Sequence, residues 1–217
     1  MKIFLDTSDV DIIRKHCETG LIDGVTTNPT LMMQAGRDSV EVIKEISSLF
    51  PEYASISAEV VGDTAEEMVL QSKDYYSISK NITIKVPCTY EGLKACRELS
   101  KRGINVNVTL IFSLNQSILA AKAGASYISP FIGRCEDNDI DGIGLISSIR
   151  KVPEFNKEYS TAILAASIRN IDHINDSFKA GADIVTIPPN IFEEMYHHDL
   201  TDQGLAQFDK DWKKLNS

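Results

Sequence analysis

At 217 residues, with 43% hydrophobic and 24% charged residues, the chain is long enough for one sizeable core and too apolar for disorder. Its 22 Lys plus Arg against 31 Asp plus Glu leave a net charge of −9, a field that repels nucleic acid, anionic lipid and anionic metabolites alike. Any phosphate must therefore be caught by local arginines.

Short β-rich runs alternate with stretches of helical spacing along the chain. Strands are expected at Lys2–Asp6, Ile22–Thr27, Ala54–Val60, Ile82–Val86, Ile104–Leu110, Ser126–Phe131, Ser160–Ser167 and Asp183–Ile187. Helices are expected at Asp9–Glu18, Ser39–Phe50, Thr64–Ser79, Tyr90–Lys101, Leu114–Ala123, Ile140–Lys151 and Ile171–Ala180. Ser8 before Asp9, and Asp63 and Thr64 before Ala65, suit N-caps; Gly20, Gly103, Gly124 and Gly181 fall where helices should end. Eight such alternations are the pattern of an α/β fold closed into a (β/α)8 TIM barrel, one domain over residues 1–217. A last amphipathic helix from Gln203 to Leu215 lines up Leu205, Phe208, Trp212 and Leu215, to close the barrel or to dock on a neighbouring subunit.

Cys17, Cys88, Cys96 and Cys135 show no CxxC pair and no metal-like spacing, so reduced thiols are expected. The N-terminus meets Asp6 after three apolar residues, and no later run approaches spanning length. A cytoplasmic protein without a membrane segment is the expectation.

The two-residue period of a strand sorts side chains onto two faces. In the fifth strand Ile104, Val106, Val108 and Leu110 turn towards the helices, leaving Asn105, Asn107 and Thr109 inside. By the same rule the inward set at the strand ends holds Asp6, Thr26, Asn28, Ser57, Glu59, Lys85, Asn107, Thr109, Ser129, Phe131, Ser167 and Arg169. A small barrel is normally filled with branched apolar side chains, so polar groups at the carboxyl ends of its strands mark an active-site mouth.

Lys85 leads that set. It sits alone in the apolar run Ile82 to Val86, and an ammonium partly stripped of water gives up its proton more readily, leaving a nucleophilic amine. Its ordinary alternative is an ion-paired lysine at a strand end. Asp6 is a capping acid or a general base; Glu59 is a second carboxylate able to move protons through a water. Asn28, before Pro29, by itself suits a turn. Arg134 and Arg169, with Ser167, follow late strands, where barrels commonly hold phosphate, although surface ion pairing also accounts for such arginines. No cofactor or metal is expected: His16 and His173 fall in helices, His197 and His198 lie late in the chain, and none is at a strand end. Asp141-Gly142-Ile143-Gly144 is too short a glycine pattern for a nucleotide, and Cys88 lacks a histidine partner.

With those residues in view, the chain resembles the transaldolases of the small subfamily that is shared with fructose-6-phosphate aldolase. The resemblance spans Met1 to the C-terminal helix. It rests on Lys2-Ile3-Phe4-Leu5-Asp6-Thr7, Gly24-Val25-Thr26-Thr27-Asn28-Pro29, Ile84-Lys85-Val86-Pro87, Asn107-Val108-Thr109-Leu110-Ile111-Phe112-Ser113, Ile128-Ser129-Pro130-Phe131-Ile132-Gly133-Arg134 and Ala166-Ser167-Ile168-Arg169-Asn170. It implies a Schiff base on Lys85 with a ketose phosphate, fructose 6-phosphate or sedoheptulose 7-phosphate, and dehydration assisted by Glu59 and a water held by Thr109. Asp6 would accept the C4 hydroxyl proton as the C3–C4 bond breaks. Asn28, Asn107 and Ser129 would hold the three-carbon unit, with Thr26 and Phe131 lining the same cup, and Arg134, Ser167 and Arg169 the phosphate. The aldolase branch carries Gln where Glu59 stands and Tyr where Phe131 stands, so the resemblance favours transaldolase, with the lyase as runner-up. A non-catalytic sugar-phosphate-binding barrel is the alternative outside enzymes. Small-subfamily relatives form rings of subunits, often decamers, so a homo-oligomer is implied.

Overall fold

The structure, a computed structural model, describes residues 1–152, 155 and 161–216. Its strands are β1 Lys2–Asp6, β2 Gly24–Thr26, β3 Ser55–Glu59, β4 Ile82–Pro87, β5 Val106–Ile111, β6 Tyr127–Pro130, β7 Ala162–Ala165 and β8 Ile184–Ile187. They pair in parallel in sequence order, and β1 returns to β8 to close the barrel. Around them run α1 Val10–Cys17, α2 Pro29–Ala35, α3 Ser39–Ser48, α4 Ala65–Tyr76, α5 Tyr90–Lys101, α6 Leu114–Ala123, α7 Ile132–Glu136, α8 Gly142–Arg150, α9 Ile171–Ala180, α10 Pro189–Glu194 and α11 Asp199–Leu215. The expected (β/α)8 barrel is thus the observed one. Among the described residues no helix is long and apolar enough to cross a membrane.

Local chemistry sets the helix starts. Thr64 and Glu67 form a reciprocal capping box at α4. At α1 the cap is Asp9, whose carboxylate accepts from the amides of Asp11 and Ile12; Ser8, the expected cap, instead donates its hydroxyl to Leu31 O at 2.7 Å. Gly124 and Gly181 end α6 and α9 at φ 93° and 103°, a region only glycine enters freely.

Two apolar layers result from strand alternation. The outward set, with Ile56, Ile84, Val108, Ile128, Ile163 and Val185, is buried beneath the helices; each fully buried side chain of this size contributes about 1.5–3 kcal/mol. The inward set is lopsided. Phe4, Leu164, Ala166 and Ile184, joined by Tyr127, Phe131 and Ala162, fill the side built from β1 and β6 to β8. The opposite side, from β2 to β6, holds buried Thr26, Ser55, Ser57, Thr83, Lys85, Asn107, Thr109 and Ser129.

Three expectations need correction. β7 faces the other way from the expected alternation, for Ile163 and Ala165 join the outer core while Leu164 and Ala166 turn inward. Ser167 reaches the mouth because its backbone turns left-handed, at φ 58°. Ser160, the expected start of this strand, lies outside the described residues. In β5 the alternation breaks after Thr109: Leu110 takes φ 58° beside a register shift, so it leaves the core and Ile111 enters it. Finally, the barrel closes without the terminal helix. α11 begins at Asp199, four residues earlier than expected, and leaves Leu205, Phe208, Trp212 and Leu215 exposed.

Candidate active site

Strand register brings the central residues level. Glu59 pairs with Lys85, and Lys85 with Asn107, across β3, β4 and β5, while Asp6 pairs with Thr26 across β1 and β2. Lys85 is 5% exposed, so its amine projects into the barrel and not into solvent. Nζ donates to Thr27 O at 3.0 Å and lies 3.0 Å from Glu59 Oε2. A buried amine held between one carboxylate and one carbonyl is positioned with little rotamer freedom to lose.

Asp6 stands at the mouth. Thr26 Oγ1 donates to Asp6 Oδ1 at 2.7 Å, and Thr186 Oγ1 lies 2.6 Å from the Thr26 hydroxyl. Because Thr26 has one hydroxyl proton, spent on the carboxylate, Thr186 donates to Thr26 in turn. Desolvation pushes the Asp6 carboxyl above its ordinary value, against the opposing pull of the Lys85 charge and the Thr26 hydrogen bond. A carboxylate with a raised pKa is a stronger base than one in water.

Polar residues around the amine form a chain. Ser129 donates to Asn107 Oδ1 at 2.7 Å, which orients the amide with its Nδ2 towards Ser57 Oγ, 3.5 Å away. Thr109 Oγ1 is buried without a protein partner, which fits a hydroxyl that serves a water or a substrate oxygen. A cavity of about 140 Å³ is lined by Asp6, Thr26, Asn28, Lys85, Asn107, Thr109, Ser129, Phe131, Arg134, Leu164, Ala166, Ser167 and Thr186. Ten of the twelve sequence-derived residues meet there. Asn28 does both things its position allows, since its Oδ1 caps α2 by accepting from Leu31 N at 3.0 Å. Arg134 lies over the Phe131 ring at 5.0 Å, and Phe112 meets that ring edge-on.

Two expected residues stand aside. Glu59 touches Lys85 but opens onto a neighbouring cavity of about 360 Å³, shared with Asn28, Met32, Gln71 and Tyr75. Arg169 is half-exposed and forked onto Asp137 through its two terminal guanidinium nitrogens. Sequence reasoning missed Thr186. The signal was available, for Val185 and Ile187 are apolar outward neighbours and Thr186 alternates with them.

Among the described residues no group of three or more His, Cys, Asp or Glu is arranged to hold a metal ion. Burial pushes the Cys88 thiol up to about 11, which makes it an inert neighbour of Lys85.

Comparison with known proteins fits this geometry. A solved structure, thiamine phosphate pyrophosphorylase from Pyrococcus furiosus, superposes with a TM-score of 0.59 at 17% identity, covering 86% of this chain and 85% of that one; it shares the fold. A probable transaldolase of Paracoccus denitrificans is 50% identical over 214 residues, 99% of this chain and 97% of that protein. Another, from Caulobacter sp., is 51% identical over 212 residues, 98% and 96% of the two chains. The family model described as transaldolase/fructose-6-phosphate aldolase matches residues 3–217. The chain belongs to the transaldolase/fructose-6-phosphate aldolase family.

Proposed function

We propose that this protein is a transaldolase that moves a dihydroxyacetone unit from a ketose phosphate to an aldose phosphate through a Schiff base on Lys85. The observation that carries the reading is the Lys85 amine itself, buried in a polar cup and 3.0 Å from Glu59 Oε2. Glu59 accepts the proton that the ammonium must lose before it attacks the ketose C2 carbonyl. Thr109, with its unpartnered hydroxyl, holds the water through which the carbinolamine oxygen is protonated and expelled.

Asp6 then takes the proton of the C4 hydroxyl as the C3–C4 bond breaks, and the iminium accepts the electron pair to give an enamine. Thr26 and Thr186 fix the carboxylate for that step. Asn28, Asn107 and Ser129 hold the three-carbon unit, and Arg134, Ser167 and Arg169 the phosphate, in a chain whose net charge of −9 leaves phosphate capture to such local groups.

Transfer over lysis follows from Phe131. Its ring carries no hydroxyl to protonate the enamine and release free dihydroxyacetone, and it is packed between Phe112 and Arg134. The enamine therefore waits for an aldose. Incubating fructose 6-phosphate with and without erythrose 4-phosphate, while following glyceraldehyde 3-phosphate, tests this: release should depend on the acceptor. Equal release without acceptor would make the protein the lyase.

The setting we propose is a cytoplasmic, pentose-phosphate-type sugar interconversion carried out by a ring-like homo-oligomer. Four free cysteines suit a reducing compartment. The exposed apolar stripe of α11 supports assembly, because a face of that kind needs a covering surface.

A further inference from the structure

We propose that the cavity behind Glu59 is a water chamber through which the imine steps exchange water with solvent while a sugar phosphate plugs the barrel mouth, and that Gln71 and Tyr75 are the positioning residues that keep it wet. The inference rests on the Schiff-base reading of Lys85.

Stoichiometry sets the need. When the Lys85 ammonium condenses with a ketose carbonyl, its nitrogen bonds to C2, two of its protons pass to the C2 oxygen, and that oxygen leaves as water; the iminium keeps the positive charge. Hydrolysis after transfer takes one water back. Each turnover therefore moves a water out of the site and another in. The sugar that makes the imine also blocks the way, because Asn107 and Ser129, at its three-carbon end, and Arg134 and Ser167, at its phosphate, line one cavity of about 140 Å³.

Glu59 opens a second way. Its Oε2 lies 3.0 Å from the Lys85 amine, and its side chain lines the neighbouring cavity of about 360 Å³. Asn28 lines both cavities. Thr27, whose carbonyl accepts from the amine at 3.0 Å, lines the larger one. A wall one residue thick thus separates the chamber from the reacting nitrogen. That wall is fixed, for Thr27 donates to Ser57 O from its amide at 3.2 Å and from its hydroxyl at 2.8 Å.

The chamber suits water. A single water needs about 10–15 Å³ of such space and about two to four polar partners, and the walls supply both. Asn28 spends Oδ1 on Leu31 N, which leaves its Nδ2 as a donor. Gln71, on α4, spends Oε1 on Val61 N at 2.7 Å, which leaves its Nε2 likewise. One turn further along α4, Tyr75 is buried, and its hydroxyl is hydrogen-bonded to the Ser39 side chain. Glu59 completes the set as the charged acceptor. The remaining walls, with Met32, Ile43 and Ala58, are apolar, so waters are held along the polar side that ends at Glu59.

Oxygen exchange tests the route. Gln71→Met and Tyr75→Phe are each combined with Asp6→Asn, which suppresses C–C cleavage and leaves imine formation to turn over alone, and are compared with Asp6→Asn by itself. Each protein is placed with fructose 6-phosphate in water enriched in heavy oxygen, and label entering C2 above the enzyme-free rate is followed by mass spectrometry. Each added substitution should slow exchange about tenfold, the effect of a water losing one hydrogen-bond partner. With dihydroxyacetone, too short to close the mouth, exchange should keep its rate. Gln71→Asn should restore most of the loss. Unchanged exchange with fructose 6-phosphate in either folded variant would overturn the proposal. So would equal losses with both ketones, since a displaced Lys85 or Glu59 acts on either one. Borohydride trapping distinguishes the underlying reading: if the parent gives no adduct on Lys85, the Schiff base fails first; if the adduct forms and exchange is untouched, the chamber alone is refuted.

Discussion

Lys85 and Asp6 show how neighbours set the surroundings of single residues. Asp6 binds its proton more tightly in the folded protein than in the unfolded chain, because desolvation outweighs the Lys85 charge and the Thr26 hydrogen bond. Its ionised form therefore costs stability at neutral pH, and that cost fades as the pH falls through the raised pKa. Asp6→Asn should consequently be more resistant to urea than the parent at neutral pH, with the gain shrinking in acid, while transfer drops by about 10²–10⁴, the contribution of a positioned base. Urea melts at the two pH values beside activity assays check both halves; a variant that is less stable at neutral pH would contradict the account. The sequence made this residue legible along with Lys85, Asn107, Thr109 and Ser129, since a charged or amide side chain on an inward position stands out against apolar neighbours. Thr186 is less conspicuous, because a threonine is at home in any strand. The tie between Arg169 and Asp137 is hidden for a different reason: the two lie 32 residues apart, and pairing between distant segments is not written in local spacing.

At the scale of elements, the strand that bears Lys85 is pinned by its neighbour β5 and by the helix after it. Cys88 N bonds to Thr109 O at 2.9 Å, and α5 starts so close to β4 that a Cβ on Gly92 would lie 2.0 Å from Pro87 O. Backbone cannot yield cheaply there. Gly92→Ala should destabilise the protein by about 1–3 kcal/mol, the usual cost of overpacking, and lower activity through displacement of Lys85; denaturant midpoints and kinetics measure the two. A midpoint equal to the parent's would show that α5 has slack. Long periodic elements such as α5, α6 and α9 were predictable to the residue because caps and glycines mark their ends. The short helices α2, α7 and α10 were not, for seven, five and six residues carry too little periodicity to separate from loop. β7 defeated the alternation argument because one left-handed residue, Ser167, turns its own side chain to the mouth out of step with the strand, and serine gives no warning of that geometry.

The whole molecule is a barrel whose interior is apolar on one side and polar on the other, with the Lys85 amine on the polar side. Its closure was legible from eight alternations of strand and helix, whereas what covers the last helix was not. Phe208 and Trp212 on α11 are 72% and 67% exposed, more apolar surface than a monomer comfortably leaves in water. If the proposed oligomer forms through this face, deleting residues 199–217 should reduce it to smaller species by light scattering, while the barrel keeps its circular dichroism; an oligomer that persists without α11 would remove this helix from the interface. The central claim concerns one covalent bond. Treating the protein with fructose 6-phosphate and borohydride, followed by peptide mass spectrometry, should find a reduced three-carbon adduct on Lys85 and none in Lys85→Ala. An adduct on another lysine, or no adduct under turnover conditions, would contradict it.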